Sequence, residues 1–105
     1  MGVVGDLLCS YYFGQGRAKL NKGKVPQAAS SFEKMLEVAR KNDDDLNIAL
    51  AYKSLAKIYR SNKMKKEART AANEILKILS KYDVMSDGFI EAKEEAELIL
   101  RDSDQ

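Results

Sequence analysis

The sequence predicts an all-α fold: two antiparallel helical hairpins and a closing helix, stacked as a right-handed solenoid with one concave face. Three observations predict it. Shifted by 40 residues, the chain matches itself, aligning Tyr12 with Tyr52, Gly16 with Ala56, Ala28 with Ala68, Leu36 with Leu76 and Val38 with Ile78. Apolar residues recur at helical spacing, as in Tyr52, Leu55, Ala56 and Tyr59, then Ala68, Ala72, Ile75, Leu76 and Leu79. Turn-forming residues cluster between these stripes, in 21–24, 42–45, 61–64 and 82–88.

Each element follows in order. The first helix is expected at 6–22, where Tyr12 and Gly16 lie on one face. Gly23 breaks it, and Pro26 opens the second at 26–42, because a first-turn proline forfeits no intrahelical hydrogen bond. The run Asp43, Asp44, Asp45 offers a capping oxygen and negative charge to the start of a third helix at 45–61. A fourth is expected at 65–81. Ser86 and Asp87 can cap the last, at 88–101, with Ala92, Ala96 and Ile99 turned inward and Glu91, Glu94, Glu95 and Glu97 facing away or sideways.

Composition narrows the function classes. At 105 residues the chain suits one domain, spanning 1–105, with hairpins at about 6–42 and 45–81. A lone cysteine, Cys9, cannot close an intramolecular disulfide, so an intracellular, cytoplasmic setting is expected. With no basic lead and with Asp6 in place, the N-terminal stretch matches neither a signal peptide nor a myristoylation signal. There is no His, no glycine-rich phosphate loop and no Cys/His ligand cluster. Catalysis has no candidate residues, and no cofactor or metal is expected.

The second unit resembles a tetratricopeptide repeat: Tyr52, Leu55, Ala56 and Tyr59 reproduce that family's aromatic, Leu, small, aromatic spacing, and Ala68 supplies its small residue in the second helix. Ala72 stands where the family usually places an aromatic. The first unit carries Tyr12, Gly16, Ala18, Gly23, Ala28 and Phe32 at matching places, with Gln15 and Lys19 as its departures. The 40-residue spacing looks like a longer-helix variety of the usual 34-residue repeat. A HEAT-like helix pair has a comparable period but lacks the Gly16/Ala56 and Ala28/Ala68 small-residue pattern.

The resemblance implies a non-catalytic adaptor with a peptide-binding groove lined by the first helix of each hairpin. Carried onto this chain, the groove is Phe13, Arg17, Leu20 and Asn21 beside Lys53, Lys57, Arg60 and Ser61. It should be basic and favour an acidic or amphipathic segment, with Phe13 as its apolar anchor, unless that ring packs on Leu7 and Leu8. Lys53 and Lys57 are four apart with no acid between them in sequence. The carboxylate clamp by which some members hold chaperone tails is absent, since its positions carry Phe13, Arg17 and Ser54.

Other features point elsewhere. Val3, Val4, Leu7 and Leu8 have no preceding repeat to cover them, so self-association at that end is expected. Residues 1–86 hold 16 Lys and Arg against 9 Asp and Glu, a balance of +7, whereas 87–105 hold 2 against 7, a balance of −5. That tail could fill a neighbour's groove or shield its own. Lys63, Lys65, Lys66 and Arg69 form a second basic cluster without interleaved aromatics, a weak case for a role in a nucleic-acid-binding complex.

Overall fold

Three turns of one shape divide the chain. Each ends a helix with a residue in the left-handed region: Gly23 at φ 75°, Asp43 at φ 51° and Lys63 at φ 59°. The next backbone N–H reaches back to close the turn, from Lys24 to the Lys19 carbonyl (2.8 Å), Asp44 to Ala39 (2.9 Å) and Met64 to Tyr59 (2.8 Å). Asn42 and Asn62, just before the last two of these residues, each donate a side-chain N–H to a carbonyl four residues back, Val38 and Ile58, at 2.8 Å.

The computed structural model describes residues 2–83 and 86–103, the side chains of Gly2 and Ser103 excepted. Between the turns run α1 (Gly2–Asn21), α2 (Val25–Lys41), α3 (Asp45–Ser61) and α4 (Lys65–Leu79), with α5 (Asp87–Ser103) closing the array. Each helix packs on the next, and α5 also lies along α3. No strand occurs among the described residues, and none of their helices is long and apolar enough to cross a membrane.

The starts follow the sequence cues. Pro26 sits in the first turn of α2, and the Asp44 carboxylate accepts the Asn47 backbone N–H at 3.2 Å to cap α3. The Ser86 hydroxyl accepts from the Phe89 N–H at 3.4 Å ahead of α5. At the other end α1 begins four residues before the expected position 6. Gly5 is the reason: it is buried so tightly against the Asn42 side chain that a Cβ there would stand 2.7 Å from Nδ2. α4 stops at Leu79, short of the expected 81, with the Ser80 hydroxyl turned back onto the Lys77 carbonyl.

Small residues let the helices close up. The Phe32 ring of α2 lies on the backbone of Gly16 in α1, where a Cβ would meet it at 2.6 Å. Phe32, Met35, Ala28 and Ala39 fill the α1–α2 core together with Cys9, and Ala51, Leu55 and Ile58 of α3 extend it. A second core joins Tyr52 and Ala56 of α3 to Ala68, Ala72 and Ile75 of α4 and to Phe89, Ala92, Ala96 and Ile99 of α5. Ala72, where the repeat pattern departs, is fully buried. Cys9 is a small core residue with its thiol 3.8 Å from the Met35 carbonyl; burial first, then the charges of Asp44 and Asp6, push that thiol above its ordinary range.

The left-handed turns give a stability expectation. A side chain at positive φ crowds the following carbonyl, so Asp43→Gly and Lys63→Gly should each stabilise the fold by about 0.5–1 kcal/mol. Urea denaturation of the two variants, read against a destabilised Gly23→Ala, checks the sign.

Candidate functional site

α1 and α3 stand apart along one face, and between them opens a hollow of about 300 Å³. Phe32 closes its floor. Phe13, Arg17 and Leu20 line it from α1, Lys53, Ser54 and Lys57 from α3, and Glu91 reaches its rim from α5. Thus five of the eight residues assigned from sequence meet in one place. Ser61 lies beyond, in an adjoining apolar groove of about 230 Å³ with Leu20 and Lys57, whereas Arg60 lines a different hollow with Lys63, Lys65 and Asp102. Asn21, at the exposed end of α1, lines none of these hollows.

Phe13 is half-buried and packs on Phe32, ring centroids 6.0 Å apart. The Arg17 guanidinium stands 5.6 Å above its outer side. The ring expected as an apolar anchor is therefore already part of a cation-covered aromatic pair.

The charges differ from the sequence expectation in one respect. The carboxylates of α5 do not all turn away: Glu91 pairs with Lys53 at 3.0 Å and Glu95 with Arg60 at 2.9 Å. Glu95 is 6% exposed, and the Lys53 side chain 13%. The cause is helix order. With alternate helices parallel, Glu91 and Glu95, four apart on α5, run alongside Lys53 and Arg60 on α3. The acid that Lys53 lacks on its own helix is supplied from another.

The Lys53 hydrogen bond, then its charge, with Lys57 adding, hold the Glu91 carboxyl below its usual range. A depressed carboxyl stabilises the fold above its unfolded value, and that contribution disappears as pH falls through the lowered folded value. Arg17 and Lys57 have no carboxylate within ion-pair distance among the described residues. These two cations stand over an aromatic floor.

Comparison with protein-family models matches the tetratricopeptide repeat over residues 6–81, most of the chain and both hairpins. The chain belongs to the tetratricopeptide-repeat family. No curated protein and no solved structure matches it. Tetratricopeptide repeats mediate protein–protein interaction and are typically non-catalytic, and no group of His, Cys, Asp or Glu among the described residues could hold a metal ion. What sequence reasoning missed in this repeat protein was the contribution of α5 to the α3 face. The signal was present as opposite charges at 53 and 60 and at 91 and 95.

Proposed function

We propose that this repeat domain is a cytoplasmic adaptor that seats an acidic or amphipathic segment of another protein in the hollow between α1 and α3. The observation that carries the reading is that Arg17 and Lys57, beside Phe13 and Leu20, have no carboxylate within ion-pair distance among the described residues, while Lys53 and Arg60 are engaged by α5. A guest carboxylate meets two available cations there, and an apolar residue meets the ring of Phe13. Specificity and association rate then depend on salt more than a purely apolar groove would allow.

The test is fluorescence anisotropy with a labelled peptide of alternating Glu and Leu. Arg17→Glu combined with Lys57→Glu should weaken binding by about tenfold to hundredfold, the scale of one or two charge-assisted contacts. Arg60→Gln should leave it unchanged. Equal affinity in all three proteins would reject the site.

A second reading is favoured by a separate observation. Val3, Val4, Leu7, Leu8 and Tyr11 form one helical stripe on the outside of α1, with exposures of 73%, 65%, 67%, 40% and 58%. We propose that a second copy covers it. Sedimentation over a concentration series should show a dimer that Leu7→Glu abolishes, and a wild type that stays monomeric throughout excludes it.

A further inference from the structure

The side of α3 turned away from the α1–α3 hollow carries a second concavity. Lys53, Ser54 and Lys57 point to one side of α3; Tyr52, Leu55 and Tyr59 lie nearly half a turn round the axis, at about 100° per residue. These last three floor a hollow of about 360 Å³ between α2 and α4. Leu36 of α2 and Ala71 of α4 form its apolar sides. Its upper walls are charged: Glu33 stands on α2 and Glu67 on α4, with Lys66 and Thr70 beside the latter.

Two features point to the kind of guest. Neither Glu33 nor Glu67 has an ion-pair partner among the described residues. Both bear on the Tyr59 hydroxyl, which burial first and then these two charges push above its ordinary range. The second feature lies seven residues away on the same face of α3. There the protein brings its own guanidinium to the other floor tyrosine: Arg40 donates to the Tyr52 hydroxyl, with its Cζ 5.5 Å from the ring centroid. No cation stands over Tyr59 among the described residues.

We propose that the hollow between α2 and α4 is a binding site for an arginine side chain on a partner polypeptide, stacked on Tyr59 between Glu33 and Glu67. The apolar sides suit the methylene stem, the ring faces the planar cation, and the two carboxylates offset its charge. Lys66 leaves the rim one negative charge in excess. The occupant is a basic, arginine-bearing segment, the opposite of the acidic one proposed for the other side of α3.

The experiment titrates isotopically labelled full-length protein with a blocked amphipathic peptide carrying arginine and leucine on one helical face. Backbone amide shifts are expected at Tyr59, Thr70 and Ala71 and not at Phe13 or Lys57. Glu33→Gln with Glu67→Gln should weaken binding about tenfold or more, and replacing each guest arginine by citrulline should do the same. Both glutamates are exposed, so these variants retain the fold, which circular dichroism verifies. Shifts confined to the α1–α3 side, undiminished binding by the double variant, or equal binding of the citrulline peptide would each overturn the proposal. Concentration-dependent shifts at Tyr59, Thr70 and Ala71 without peptide would do so too, by making a second copy the occupant of this hollow. Arg17→Glu with Lys57→Glu should not alter this binding, so failure here and failure of the acidic-segment site are separate results.

Discussion

Gly16→Ala should destabilise the protein by about 1–3 kcal/mol, although helix propensity alone argues for a gain of roughly 0.5–1 kcal/mol. The sign decides between the two effects. A methyl group at position 16 would enter the Phe32 ring, which is 1% exposed and already packed against the Phe13 ring. Gly14, two residues earlier on the open side of the helix, has nothing within 4 Å of an added Cβ. Gly14→Ala should therefore show the propensity gain that Gly16→Ala loses. Phe32→Leu is itself costly, but in the Gly16→Ala background it should recover part of the loss, a coupling of about 0.5–3 kcal/mol. Urea midpoints for the four proteins complete the cycle, and strict additivity would show that the two positions do not touch.

Arg60→Leu should cost about 2–3 kcal/mol. Removing one partner of a fully buried pair costs about 3–5 kcal/mol, and the 41% exposure of the Arg60 side chain reduces that figure. What is left behind is a carboxylate at Glu95 that is 6% exposed and has lost its donor. The double variant Arg60→Leu, Glu95→Leu should return most of the loss, because an apolar pair needs no compensation there. The pair Lys41 and Glu37, with side chains 75% and 69% exposed, should contribute about 0.3–0.5 kcal/mol and fade with salt. Thermal unfolding at low and high ionic strength separates the two kinds of pair. A Glu95 site indifferent to Arg60→Leu would mean that water reaches the carboxylate freely.

Much of this was legible in the sequence because helices and their turns are written locally. Pro26, Asp44 and Ser86 act within four residues of themselves, and each sits where its chemistry places it. The size match of Gly16 with Ala56 and Ala28 with Ala68 reported a distance between backbones, and all four are buried. Glu91 and Glu95 were misread because their helix alone offers a solvated acidic side. Only the placement of α5 along α3 turns two of its carboxylates toward cations some forty residues earlier. The hollow over Tyr59 was missed for the reverse reason. Tyr52 and Tyr59 both fitted the repeat signature as core aromatics, yet Tyr52 is 8% exposed while Tyr59 remains only partly covered.

α1 packs substantially on one neighbour, α2, whereas α3 touches α2, α4 and α5. A helix held through one neighbour is expected to exchange its amide protons by a local detachment that leaves the other four helices in place, which hydrogen exchange along α1 would measure. That detachment also removes Phe13, Arg17 and Leu20, the α1 wall of the hollow, so a chain seated against them would hold α1 in place. Capture of a guest and the slowing of exchange along α1 are then two readings of a single equilibrium.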